Sequence, residues 1–155
     1  MKTQTAIAKI KAAGHDISDE YSTDECIGFL NTSIQEIANL LIAGKSPQMV
    51  KQVTIHNLES LPAGYVVSAG SYPIRITGQT ITFLNDDTEI RFRYFAAPDQ
   101  ILDVTGTLPF VHDAINDVVV RAAVLIALNE NEYDISQDKA LVDEMKQAIA
   151  QGMAG

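Results

Sequence analysis

The sequence predicts an α+β fold, mainly a helical bundle of about four helices with a small antiparallel β-sheet inserted between them. Three observations predict it. Apolar residues recur at steps of three and four in the first and last thirds of the chain, the period of a helix buried on one side. Residues 74–94 instead alternate apolar with polar, the period of a half-buried strand. Pro47, Pro62, Gly64 and Gly70 mark the change from one texture to the other.

Taken in order, residues 3–13 place Ile7 and Ile10 on one face with Lys9 and Lys11 elsewhere on the turn, a short amphipathic helix ended by Gly14. A polar connector, "HDISDEY", follows. In "STDECIGFLNTSIQEIANLLIAG", Ser22 and Glu25 fit a capping box and Gly44 fits the position just past a helix end. Ile27, Leu30, Ile34, Ile37 and Leu41 form a continuous apolar stripe that Phe29, Ala38 and Ile42 widen. That width predicts burial on more than one side, whether inside a single copy or between neighbouring copies.

Val50, Val53 and Ile55 lie among polar residues and begin the sheet region. "IRITGQTITF" reads as two strands joined at Gly78 and Gln79, and "DDTEIRFRYF" returns after a turn at Asn85 to Asp87. Ile74, Ile76, Ile81, Phe83, Ile90, Phe92 and Tyr94 are expected on one inward face of a single sheet, with Arg75, Thr82, Arg91 and Arg93 outward. "AAPDQILDVTGTLP" is a loop, since Pro98, Gly106 and Pro109 interrupt regular structure. A helix over 110–128 carries Val111, Ile115, Val118, Val119, Ala122, Leu125 and Ile126 inward. A last helix, capped at Ser136, carries Leu141, Met145 and Ile149. The organisation is one domain over 1–155, with N-terminal helices at 1–46, the β module at 47–97 and a C-terminal helical pair at 108–150.

The chain has 155 residues, enough to bury roughly two thirds of its unfolded surface without disulfides or metals. A hydrophobic fraction of 46%, a charged fraction of 20% and a mean hydropathy of +0.05 are those of an ordinary soluble domain. Cys26 is the only cysteine, which excludes an intrachain disulfide and points to a reducing compartment. No apolar run approaches the ~18 residues of a membrane span, so a soluble product made in the cytoplasm is expected, with no membrane partner. Eleven basic against twenty acidic side chains give a formal charge of -9 and a pI near 4.6. The basic residues are scattered, which argues against tight DNA binding by counterion release. Like-charge repulsion would still let DNA slide past.

The stretch "LPFVHDAINDVVVRAA", residues 108–123, carries His112, Asp113, Asp117 and Arg121 at near-helical spacing. Spacing of four would bring Asp117 to Arg121 as a surface ion pair, Asp113 suits the positive end of the helix dipole, and His112 falls at the helix start. A hydrolase using His112 and Asp117 is the enzymatic alternative, but no nucleophile, base and orienting group are clustered in the sequence, and a non-enzyme is expected. A metal site would need a second ligand at His spacing, and none is present. His15 and His56 fall in polar surroundings, and Cys26 leads into the apolar stripe as a packing residue. "NDDTE" at 85–89 lacks the glycine and spaced acids of a calcium loop. "LPAGYVVSAG" lacks the lysine and helix start of a phosphate cradle. No cofactor is implied.

The pieces "IRFRYFAAPDQI", then Leu108, Pro109, His112, Asp117 and Arg121, then Glu132 and Tyr133 before the last helix, resemble the head-to-tail connector, or neck adaptor, proteins of tailed bacteriophages. The similarity in element order covers residues 22–149. With 6% aromatic residues, no tryptophan and a short sheet, the chain departs from that pattern in the direction of a neck stopper or tail-completion protein.

The resemblance implies a virion structural protein: a homo-oligomeric ring of about twelve copies docked beneath the portal protein. It would meet a downstream stopper, tail terminator or tail tube protein and form part of the channel for genomic double-stranded DNA, without sequence-specific binding. Twelve copies at -9 each would carry roughly -108 formal charges, which would reduce DNA adhesion during passage. On that reading Ile27, Leu30, Ile34, Ile37, Leu41, His112, Asp117 and Arg121 are interface or structural residues. The first dozen residues and the terminal "QGMAG" would be arms that order on assembly. A stand-alone small ligand-binding or regulatory domain is the alternative from a different class.

Overall fold

A computed structural model describes residues 1–13, 22–129 and 139–154. His15, Glu132, Tyr133 and Ser136 lie outside the described residues, as do the side chains of Met145 and Ile149. The elements are α1 (Thr3–Ala13), α2 (Thr23–Ala43), a 3-10 turn (Pro47–Met49), β1 (Val50–Ile55), β2 (Tyr65–Ser68), β3 (Ile74–Thr77), β4 (Thr80–Phe83), β5 (Ile90–Ala96), α3 (Asp113–Asn129) and α4 (Lys139–Ala154). The fold is therefore α+β, four helices with a small antiparallel β region between the second and third. The chain divides into two compact units, Met1–Leu41 with Pro98–Gly155, and Ile42–Ala97.

In the helical unit α3 is central. Ile115, Val118, Val119, Val120, Ala122, Ala123, Val124 and Ile126 are all buried, so the helix is covered nearly all round. The run Val118 to Val120 is a poor helix former in isolation, because branching at Cβ restricts the side chain against the preceding turn. Burial overrides that preference. Both α1 and α4 pack on α3, and Ser33 of α2 ties to it by a hydrogen bond to the Val119 carbonyl.

The helix starts follow local chemistry. Ser22 Oγ accepts from the Glu25 amide at 3.1 Å while Glu25 Oε1 accepts from the Ser22 amide at 3.3 Å, a reciprocal capping box. The end of α2 differs from expectation. The left-handed residue is Lys45, with φ 56, and not Gly44; the Lys45 amide donates back to the Ile42 carbonyl at 2.9 Å.

The α3 helix starts at Asp113 and not at 110, because the His112 carbonyl is the first acceptor, taking the Ile115 amide at 3.0 Å. Val111 therefore precedes the helix, falls off its periodicity and is 82% exposed where an inward position was expected. The first dozen residues are also no free arm. Ala6 and Ile10 are fully buried, and the Thr3 amide and Met1 carbonyl bond Gly106 and Leu108.

By length and composition alone, α2 is long and apolar enough to cross a membrane, contrary to the sequence expectation, and half of that stretch is buried inside the fold.

The β unit holds two sheets where one was expected. β5 is the centre of a three-stranded sheet, order β1-β5-β2, while β3 and β4 form a separate hairpin. β4 is not available to β5, because segment 58–61 occupies its other edge: Leu58 and Leu61 donate to the Ile81 and Gln79 carbonyls, and Ile81 donates to Glu59, all at 2.8 Å. The β2 strand, set between Gly64 and Gly70, has no alternation in the sequence that predicts it.

The hairpin turn is as read. Gly78 takes φ 60 at the first turn position, which glycine adopts at no steric cost. Ile55, Ile81, Phe83, Ile90, Phe92 and Tyr94 make one core, with Ile74 half-buried at its margin. Phe92, wholly buried, stabilises it by about 1.5–3 kcal/mol. Tyr65 and Tyr94 stack near Phe92 with ring centroids at 6.0 and 5.8 Å, and Tyr72 meets it edge-on at 5.0 Å.

Candidate functional site

The polar groups of residues 108–123 act as clasps across helices. Asp117 meets Lys9 of α1 at 3.5 Å, and Arg121 pairs with Glu144 of α4. The expected pair between Asp117 and Arg121 does not form, since each side chain finds a partner on a different neighbouring helix. His112 serves α3 through its backbone carbonyl, and among the described residues nothing joins its ring to Asp117.

Asp113 lies in the first turn of α3. A hydrogen bond from Asn116, then the N-terminal ammonium 3.3 Å away, hold its carboxyl below the usual range.

The α2 stripe is core. Ile27, Leu30, Ile34, Ile37 and Leu41 are all buried within one chain, so the stripe serves internal packing. Cys26 is fully buried among them. Sequence reasoning missed the polar residues that position this unit. Ser33 is fully buried with its hydroxyl on Val119, and Asn116 is fully buried with its amide donating to the Phe110 carbonyl at 2.8 Å. Asn31 holds Ile101 at both backbone groups, accepting from the amide at 2.7 Å and donating to the carbonyl at 2.9 Å.

Exposed contact chemistry lies elsewhere. Residues 42–97 carry five basic and four acidic side chains, whereas the helical unit carries six basic and sixteen acidic. The helical unit thus carries a formal charge of -10 and the β unit +1, which sum to the -9 of the chain. Counting by segment would have found this signal.

Arg91 and Arg93 alternate outward on β5, opposite Thr54 and Gln52 of β1, and Val67 of β2 pairs with Phe95 on the same face. Both arginines are exposed, as expected from the alternation, and no carboxylate among the described residues pairs with either. This face opens into a cleft of about 420 Å³ lined by Lys45, Val50, Ser68, Arg93 and Phe95, with no acidic side chain in its wall. An anionic group is what such a cleft suits.

On the same unit Leu58 and Leu84 are exposed, and His56 sits between Glu59 at 2.5 Å and Glu89 at 3.8 Å. Among the described residues no cluster of His, Cys, Asp or Glu is arranged to hold a metal ion.

On the helical unit the loop after β5 presents Leu102 at 87% exposure between exposed Asp99 and Asp103. Hydrogen bonds from the Thr105 hydroxyl and amide hold the Asp103 carboxyl below its usual range, so it is ionised at neutral pH. No protein-family model matches this chain, and a search of curated proteins finds no significant match.

Proposed function

We propose that this chain is a structural subunit of a bacteriophage neck, a head-to-tail connector that assembles as a ring of about twelve copies beneath the portal. It joins the capsid to a downstream stopper, terminator or tube protein and passes double-stranded DNA without reading its sequence. It acts through shape and surface, not through catalysis. The observation that carries this reading is the layout: a helical unit made from both ends of the chain, with a β unit inserted at Ile42–Ala97 that displays exposed apolar side chains and two arginines with no carboxylate partner among the described residues. The polar residues of α3 support it too, since Asp117 and Arg121 clasp neighbouring helices. The strongly acidic helical unit suits a wall along which DNA slides.

The test is reconstitution. Purified full-length chain is mixed with portal-bearing heads, which are then separated on a gradient and imaged by electron microscopy. A closed ring of added density on the portal vertex is expected; heads that carry no bound chain would sink the proposal.

The cleft of about 420 Å³ favours a second reading, a stand-alone domain that binds a small anion. Titration calorimetry with inorganic phosphate, showing saturable binding by a chain that never joins a head, would favour that reading.

A further inference from the structure

We infer that the cationic outer face of the β unit in one copy receives the acidic loop 99–103 of the next copy. This inference rests on the ring reading above and names the contact that would close it. Two surfaces of opposite character lie on one chain. One displays Arg91 and Arg93, with Lys45 and Arg93 in the cleft wall and the 47%-exposed Val67 paired with Phe95 on the same face. The other displays Asp99 and Asp103 around Leu102, at 87% the most exposed large apolar side chain among the described residues.

Among the described residues neither surface finds a partner in its own chain. The arginines have no carboxylate partner among the described residues, and Leu102 is uncovered. A leucine between two carboxylates matches a cleft between two cations, apolar centre to apolar centre and charge to opposite charge.

The loop is also held ready. Asn31 grips both backbone groups of Ile101, and Asp103 folds the chain back onto Thr105, so little ordering is lost on docking. Because the two surfaces differ, the contact is head-to-tail, the kind that generates a ring when the rotation closes. Nucleic acid is the poorer match. The β unit exceeds neutrality by a single formal charge, and a phosphate backbone has no use for an apolar seat at Val67.

The test compares full-length R91E/R93E and D99R/D103R with wild type, reading copies retained per portal-bearing head after gradient sedimentation. Each variant alone is expected to lose retention about tenfold or more, and the wild-type contact to weaken as salt rises. An equimolar mixture of the two is expected to regain it, since the reversed face of one then matches the reversed loop of the other. Matched circular dichroism and melting curves control for folding, and R91Q/R93Q with Leu102→Ser replace any variant that melts early.

Variants retained like wild type would overturn the inference. So would losses that mixing does not repair, which assign the surfaces to the portal or tail protein. Rings that form normally while R91E/R93E alone loses binding to a short DNA duplex would transfer the face to DNA. Wild type that fails to join heads overturns the connector reading itself, a distinct result.

Discussion

The Ser33 hydroxyl of α2 donates a 2.7 Å hydrogen bond to the Val119 carbonyl of α3, between two residues that are both wholly buried. The contact joins helices from opposite ends of the chain, 86 residues apart. Ser33→Ala removes the donor, while the Val119 carbonyl keeps its helical partner. A loss of about 1 kcal/mol is expected from urea unfolding midpoints. Ser33→Leu forces extra volume against α3 and is expected to cost more, about 1–3 kcal/mol. An unchanged midpoint in both variants would show that the two helices are not held here.

Asn31 makes a stronger claim on the fold, since it satisfies two half-buried backbone groups of Ile101 together. Asn31→Ala leaves both without a partner and is expected to destabilise by about 1–3 kcal/mol. Asn31→Asp keeps the acceptor and loses the donor, so it should fall between Ala and wild type. Hydrogen exchange at the Ile101 amide gives a local check: it should speed up in Asn31→Ala more than at Ser33 or Val119. Uniform exchange changes across the unit would contradict a local role.

Two glycines are expected to respond with opposite sign. Gly64 has φ +76, and a Cβ there would meet the Ala97 carbonyl oxygen at 3.0 Å, so Gly64→Ala should cost about 1–3 kcal/mol. Gly28 lies on the exposed side of α2 with nothing within 4 Å of an added Cβ. Gly28→Ala should stabilise by about 0.5–1 kcal/mol through helix propensity and a less flexible unfolded chain. Thermal melts of the two proteins side by side decide it, and a shared direction of shift would refute the argument.

The helices were legible because their burial follows a local rule. Every residue of the Ile27 to Leu41 stripe is buried, and the Gly78 turn declared itself through a residue that tolerates positive φ. Strand partners were not legible, since β5 chooses β1 and β2 from far upstream, and alternation alone does not rank competing edges. Helix spacing correctly marks Asp117 and Arg121 as neighbours along α3, yet cannot reveal that Lys9 and Glu144 approach from other helices. In the candidate surface, strand period alone places Arg91 and Arg93 outward, where they lie. Ile101 and Leu102 look alike in sequence, yet Ile101 is buried with its backbone held by Asn31, 70 residues away, and Leu102 is bare.

Acid should erase the contribution of Asp113. Its carboxyl is held below the ordinary range, first by the Asn116 amide and then by the N-terminal ammonium, so its pKa is lower folded than unfolded. A depressed folded pKa gives stability that is fully present above the unfolded value, about 3.9, and is lost as pH falls through the folded one. Asp113→Asn removes that contribution at every pH. Urea midpoints of wild type and Asp113→Asn should therefore differ, wild type being higher, at about pH 7, and converge as the pH drops below the carboxylate range. Lys9→Gln serves as a comparison: Lys9 reaches Asp113 only as the weakest of the causes acting on it, so that variant should retain most of the same pH dependence. A gap between wild type and Asp113→Asn that stays constant down to the lowest pH would mean that the residue acts through packing or helix capping, not through its charge.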